Sequence, residues 1–586
     1  MSIMKYTHLQ IFVRKVLNKV LFKANLTTER QYCMCNSKFV PETNVEQNFL
    51  GFDLSTQKLK AILLGSDLSV VASAEVKFDS DLPEFRTTGG ANAGPNKFEF
   101  FVQPVMWVKA MDIVLDRLVM QEVDLGTVVA ISGSAQQHGS VYWSKHGIAA
   151  LQNLDSNKFL HAQVDDSAFV VNRTPIWMDA STSKQCLEME TAIGGMSKMV
   201  ELTGSKCYER FTGPQIRKIY QQRTHAYEDA KRISLVSSFL ASLFLGKVAP
   251  IDYADGSGMN LLDIRKKTWS KACLNACAPD LEERLCEPVS GFTILGKVSD
   301  YFVQRFCFSE NCQVVACTGD NPSALAGMIV DQNWLSVSLG TSDTLMMSLI
   351  EPPNLEQGHV LCHPTEIQQY MGLLCFRNGS LVREAMNKSE TNGNWEKFNE
   401  LLESTPRGNF GNMAIHFDEM EIIPKAKGTL RWNKDIDINS ADAKKGVLKF
   451  SSPQIEIRAL IEGQMLHHRA IAEDMGFLFG SESKILATGG ASVNKSILQV
   501  IADVFNAPVY QQTESEAALV GAAYRAAYAC YISANDTKDI KSYRDYILSL
   551  TPNLLKLVCE PNKDSESIYV PMLQRYRDMA SILESQ

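Results

Sequence analysis

Apolar and polar positions along this chain fall into two repeats of one order. From Phe49 the pattern predicts three short strands, at 49–54, 59–64 and 70–78, separated by turns of small and polar residues. A helix follows at 102–119, where Val105, Ala110, Met111, Val114, Leu115 and Leu118 recur at three- and four-residue steps. A further strand is predicted at 127–131. The second half repeats the order, with strands at 314–317, 335–339 and 345–349, a helix at 455–474, a strand at 485–488, and helices at 495–505 and 515–529. Strands in series, then helix and strand in alternation, predict an α/β chain of mixed sheets with helices packed on them. The duplication is one of pattern, not of identity.

Other stretches depart from this order. The run 235–245 is apolar but short and interrupted by serines, so it predicts a buried helix. Residues 145–172, rich in His, Asn, Asp and Ser, read as a surface excursion, and 387–412 and 425–452 as peripheral turns and short helices. Residues 1–46 carry Lys5, Arg14, Lys15, Lys19, Lys23, Arg30 and Lys38, with Glu29 the one acidic residue before Glu42. That balance reads either as a mitochondrial transit peptide or as a plain N-terminal extension. The expected division is an extension over 1–46, domains over 47–308 and 309–545, and a helical tail over 546–586.

Composition narrows the function. A chain of 586 residues, 45% hydrophobic, is long enough for two large domains. A formal net charge of −8 argues against a broad nucleic-acid surface, and no run reaches the length of a membrane span. Fourteen cysteines include no Cys-x-x-Cys pair and read as reduced thiols of an intracellular protein. The expected partners are small molecules.

Three loops carry the chemistry. The apolar run 314–317 stops at Thr318 and Gly319 and presents one carboxylate, Asp320. Such a group can serve as a base at the end of a strand, or it can cap the helix that begins near Pro322. The loop at 51–56, with Asp53, and the loop at 338–344, with Gly340, Thr341 and Ser342, each read as strand, tight polar turn, strand. Two such hairpins can hold a nucleotide's phosphates and their metal from either side.

Further loops stand in the same order: Ser-Ala-Gln-Gln-His-Gly-Ser at 134–140, Tyr-Glu-Arg-Phe-Thr-Gly at 208–213, a Gly-rich segment at 251–260, and Ile-Leu-Ala-Thr-Gly-Gly-Ala-Ser at 485–492. Over about 49–529 the set resembles the FGGY carbohydrate kinases, nearest those eukaryotic members that act on xylulose. The resemblance implies a two-domain actin-like ATPase fold with an interdomain cleft, sugar mainly on the first domain and nucleotide on the second. It implies ATP-dependent phosphorylation of D-xylulose to D-xylulose 5-phosphate, with ATP and Mg²⁺ as cofactors and a cytoplasmic location, mitochondrial if residues 1–46 direct import.

Residue by residue, the resemblance makes Asp320 the general base, and His138, Arg210 and Asn321 sugar contacts. Asp53 would hold Mg²⁺ through water; Gly340, Thr341 and Ser342 would meet phosphate; Gly489, Gly490, Asn494 and Trp395 would flank the nucleotide. Thr56 and Lys60 follow at the family spacing without an assigned contact, and Asp255 and Ser257 match family positions that a Gly-rich turn already explains. Two other readings stand beside this one: a kinase of the same fold for ribulose, glycerol or another polyol, and a silent member that binds sugar or nucleotide without turnover.

Overall fold

In the computed structural model the described residues are 47–585, apart from 441, 514–515 and 536–538. The extension and transit-peptide readings of 1–46, and the expected helix start at Ser515, lie outside them. Two seven-stranded sheets form the frame. In the first, Asn48–Leu54 folds back antiparallel as Lys58–Leu64, Val70–Lys77 adds a third antiparallel strand, and Val128–Ala135 joins the other edge in parallel. In the second, Trp334–Ser338 folds back as Asp343–Leu349, Tyr370–Phe376 adds a third antiparallel strand, and Lys484–Thr488 joins in parallel. The duplication is therefore one of strand pairing, two copies of the same hairpin, third strand and parallel neighbour.

Burial on both faces explains why the inner strands, such as Asn48–Leu54 and Asp343–Leu349, read as nearly continuous apolar runs, whereas the edge strand Val70–Lys77 is largely exposed. Leu50, Phe52 and Leu54 bury themselves in the core that also holds Trp107, Met111, Val114, Phe239 and Phe244. The helix Pro104–Met120 starts two residues later than expected, with proline in its first turn, where a missing N–H is harmless. Val236–Leu245 is a helix with every residue buried, as its apolar run predicts. No helix among the described residues is long and apolar enough to cross a membrane.

The opposite face of the first hairpin carries the helix Ala517–Ala534. Small residues set this approach: a methyl group at Gly51 would lie 2.8 Å from the Ala523 amide nitrogen, and one at Gly521 would overlap the Ser323 carbonyl oxygen. The helix Asp320–Gly327 thus lies directly against Ala517–Ala534, and Ser323 Oγ donates to the Ala518 carbonyl at 2.7 Å. Arg525, wholly buried, donates to the carbonyls of Gly133 (2.7 Å), Ala316 (2.7 Å) and Gly291 (3.2 Å).

Several expectations are corrected. The strand expected at 314–317 is split into Gln313–Val315 and Thr318–Gly319, both paired with Val128–Ala135, so these residues belong to the first sheet although the expected boundary at 308/309 put them in the second domain. Residues 145–172 are anchored rather than peripheral: Leu160, Val164, Ala168 and Phe169 are buried, and the Asp112 carboxylate accepts the N–H groups of Leu160 and His161 at 3.0 Å. The segments 387–412 and 425–452 contribute buried Phe398, Leu402, Trp432 and Phe450, because a hairpin of Met413–Phe417 and Gly428–Trp432 packs on the helix Pro453–Asp474. The tail is not wholly helical, since Leu555–Cys559 pairs with Val509–Gln512 at the edge of the second sheet before the helix Ser565–Glu584.

The close helix contact is testable. Gly521→Ala presses a methyl group into backbone that has no side chain to move aside, and it is expected to lower stability by about 1–3 kcal/mol. Gly480→Ala, where nothing lies within 4 Å, is the control and is expected to change the urea midpoint little.

Candidate active site

Asp320 stands at the first residue of its helix, and the capping position belongs to Gly319. Its carboxylate is therefore not the cap. It accepts the Asn321 N–H at 2.9 Å and draws the backbone N–H of Gln137. Asn321 Nδ2 donates to Gln137 Oε1 at 3.0 Å, and Gln137 Nε2 donates to Asp255 Oδ1 at 3.3 Å. Ser237 Oγ donates to the other Asp255 oxygen. Asp255, which the sequence reading left outside the site, is thus the buried support behind it, and burial with the neighbouring Asp252 charge pushes its carboxyl up to about 8.

Asp53 sits beside the turn of the first hairpin, register-paired with Lys60. Its Oδ1 is buried without a hydrogen-bond partner, and desolvation pushes the carboxyl up to about 6 against the pull of the neighbouring Ser134 hydroxyl first and of Lys60 and Lys58 next. Asp320 is pushed up to about 7, by desolvation first and by the negative charge of Asp53 second. The two groups therefore share one electrostatic site.

A ring of polar and aromatic side chains continues it. His138 has a left-handed backbone (φ 69°), and its Nδ1 lies 2.9 Å from the Gly258 carbonyl. That contact places the ring hydrogen on Nδ1 and leaves Nε2 as an acceptor. Burial pushes the imidazole down to about 3, so it is neutral. The ring stacks on Phe211 at 4.4 Å, and Phe211 in turn meets His359, from a strand of the second sheet, at 5.1 Å. The Arg210 guanidinium lies over Trp177 at 5.3 Å, and Trp177 Nε1 donates to Thr56 Oγ1 at 2.8 Å. Trp177 and His359 were missed from the sequence, where each is a single residue beside a short apolar run.

A second group surrounds an open cavity of ≈ 700 Å³ lined by Gly340, Thr341, Trp395, Gly490 and Asn494. Strand register brings its two turns together, since Ser338 pairs with Thr488. Gly489 has φ 81°, and a side chain there would strike the Leu339 backbone, so glycine is required. Asn494 caps the helix Lys495–Phe505 through Oδ1, and its Nδ2 donates to Asn399 Oδ1 at 2.8 Å, joining opposite walls. Trp395, 39% exposed, packs on buried Phe398 at 5.0 Å. Ser342 is exposed, and neither it nor Gly489 lines the cavity. No hydrogen bond among the described residues joins the Asp320 group to this one; the helix Asp320–Gly327 leads from one to the strand Trp334–Ser338 of the other.

These groups offer a carboxylate whose proton affinity lies near neutrality, a neutral imidazole and a guanidinium beside it, and a glycine-walled cavity of nucleotide size.

The models of the FGGY family of carbohydrate kinases match this chain over residues 160–327 for the N-terminal domain and 335–530 for the C-terminal domain. A xylulose kinase of Rattus norvegicus is 46% identical over 533 residues, 90% of this chain and 96% of the relative. Xylulose kinase 2 of Arabidopsis thaliana is 44% identical over 488 residues, 82% of this chain and 87% of the relative. Among solved structures, a sugar kinase of Brucella ovis superposes with a TM-score of 0.72 at 18% identity, covering 92% of this chain and all of its own. That likeness shows the fold, the two-domain actin-like ATPase fold of the sugar kinases. By both of its domains and by nearly half of its aligned residues, this chain belongs to the FGGY family of carbohydrate kinases.

Proposed function

We propose that this chain phosphorylates D-xylulose on its terminal hydroxyl with ATP, giving D-xylulose 5-phosphate and ADP, with Asp320 as the general base. The observation that carries the reading is the state of Asp320: a carboxylate outside any capping role, held near neutral proton affinity beside Asn321, Gln137 and the charge of Asp53. The identity to xylulose kinases over most of the chain supports the substrate. We place the division between sugar and nucleotide domains between residues 327 and 335, where sheet membership changes.

His138 Nε2 accepts a sugar hydroxyl, Asn321 and Arg210 donate to others, and Trp177 keeps the guanidinium in place. Gly340, Thr341 and Ser342 offer donors to the phosphates, while Gly490, Asn494 and Trp395 flank the nucleoside. The C5 hydroxyl oxygen attacks the γ-phosphorus, its proton passes to Asp320, and the bond to the bridging oxygen breaks with its electron pair leaving on ADP. Closing of the two domains brings the sugar and nucleotide groups together and excludes water.

Mg²⁺ belongs to the same proposal. Among the described residues no group of three or more His, Cys, Asp or Glu side chains is arranged to hold a metal. Magnesium needs no such cage, because it keeps several waters and takes phosphate oxygens as ligands. Asp53, with its partnerless Oδ1, fits the protein's share of that shell. When bound, the ion would neutralise charge on the phosphates. The free cysteines of the described residues suit a reducing compartment, and we place the enzyme in the cytoplasm.

Four measurements test the reading. ADP release measured with D-xylulose, D-ribulose and glycerol is expected to give the highest kcat/KM with D-xylulose, and a preference for another acceptor would remove the substrate assignment. Asp320→Asn is expected to lower kcat by about 10²–10⁴-fold while leaving ADP affinity nearly unchanged; near-normal turnover would remove the base. The pH profile has a fixed sign. Asp320 accepts a proton only when ionised, so kcat/KM is expected to climb as pH rises through about 7. Asp53→Asn removes the neighbouring negative charge, so the residual activity of that variant is expected to keep its acid limb at lower pH than the wild type. An unmoved limb would separate the two carboxylates.

A further inference from the structure

A buried ion pair stands directly behind the turn Gly340–Ser342. Asp343 is the first residue after the turn and has no exposed surface. Its carboxylate accepts both arms of the Arg383 guanidinium, Nη1 at 2.7 Å and Nη2 at 2.8 Å. Arg383 is 1% exposed, stands in the first turn of the helix Ser380–Thr391, and also lines the cavity assigned above to the nucleotide.

Backbone contacts close a ring around this pair. Ser380 N–H donates to the Gly340 carbonyl at 2.9 Å. A methyl group at Gly379 would lie 2.8 Å from Asp343 Oδ1 and 2.9 Å from the Thr341 carbonyl oxygen, so the start of the helix abuts the turn. Arg383 Nη1 donates in addition to Gln464 Oε1 at 3.1 Å, and Gln464 Nε2 donates to the Asn378 carbonyl at 2.8 Å. His468 Nε2 lies 3.6 Å from the Asp343 carboxylate. The pair is thus fixed from three elements, and the helix Ser380–Thr391 leads on to Trp395 at the cavity wall.

A buried ion pair contributes less to stability than well-packed apolar side chains of similar volume, but it holds its partners in one geometry. A two-pronged guanidinium–carboxylate contact is directional in a way a single ammonium contact is not. Here the geometry held is that of the turn: Gly340 is drawn against the helix, while Thr341, exposed and lining the cavity, remains to face a ligand, with Ser342 exposed beside it.

We infer that Asp343 and Arg383 are positioning residues for phosphoryl transfer, which lock the Gly340–Ser342 turn to the helix Ser380–Thr391 so that its donors meet the β- and γ-phosphates in a preset arrangement. The inference rests on reading the cavity as the nucleotide site. A locked turn acts on the phosphates and not on the nucleoside, so its loss separates the affinities of ADP and adenosine.

The test measures ADP, adenosine and D-xylulose binding by calorimetry for the wild-type enzyme, Arg383→Lys, Arg383→Met and Asp343→Asn. Arg383→Lys keeps the charge and removes the fork, and so keeps the test open should the other two fail to fold. ADP affinity is expected to fall about tenfold or more in Arg383→Lys, with adenosine and D-xylulose affinities within twofold of wild type. Unchanged ADP affinity, or equal loss for ADP and adenosine, would overturn the positioning role while leaving the proposed activity intact. A wild-type enzyme that binds neither ADP nor adenosine would overturn the nucleotide site, and this inference with it.

Discussion

The buried Arg525 guanidinium is the constraint on which the groups around Asp320 and His138 depend. It holds the carbonyls of Gly133, Ala316 and Gly291 from one position on the helix Ala517–Ala534. Gly133 leads within five residues to Gln137 and His138, and Ala316 leads within four to Asp320. An apolar side chain would take this donor from all three carbonyls in a dry interior, leaving Ala316 only its bond from Ser132 Oγ at 3.0 Å. Burying the cation is itself unfavourable, and Asp252, which faces it, offsets that penalty. The approach is possible only because Gly51, Gly327 and Gly521 let the backbone of this helix and its neighbours nearly touch.

What that packing assembles is an excess of carboxylates. Asp53, Asp252, Asp255 and Asp320 are all pushed up, to between about 6 and about 8, chiefly by desolvation. With folded-state affinities above those of the unfolded chain, the native protein holds the extra protons. The cluster's contribution to stability is thus present at low pH and lost as pH rises through these values. At neutral pH the site is under electrostatic strain that a bound cation or a donated hydroxyl would relieve. That strain suits proton transfer, since a base with a proton affinity near ambient pH accepts and returns a proton with little free-energy difference.

The sequence carried the frame well. The first hairpin, the buried run ending at Leu245, and the helices Pro453–Asp474 and Lys495–Phe505 follow from apolar periodicity, because each has at least one face wholly buried. Where side-chain polarity was used as a proxy for exposure the reading failed. Residues 145–172 and 425–452 are polar in composition, but apolar residues such as Leu160, Phe169, Leu430 and Trp432 are buried within them, and a buried Asp112 or Glu456 serves their backbone amides. Motif residues such as Asp53, Asp320 and Gly340 could be singled out because each stands near the end of a strand or at the start of a helix, in a short segment of distinctive sequence. Trp177, His359, Arg383 and Arg525 were not. Each acts through a partner far away in sequence, such as Thr56 for Trp177 or Gly133 for Arg525, and one chain read alone holds no record of such pairs.

The two copies of the hairpin show how one backbone plan can take opposite charges. In the first, Asp53 lies beside the turn with an oxygen left unpaired, and an acid so placed tolerates a polyphosphate only with a cation between them. In the second, Asp343 also sits beside the turn, but Arg383 takes both of its oxygens. A bare carboxylate there would repel the phosphates that, on the proposed reading, the turn is meant to receive. Pairing it with a guanidinium cancels the charge and keeps the carboxylate's ability to hold backbone amides. The copies therefore diverge in charge, one leaving a carboxylate oxygen unpaired and the other neutralising its carboxylate with a guanidinium, while their strand pairing remains the same.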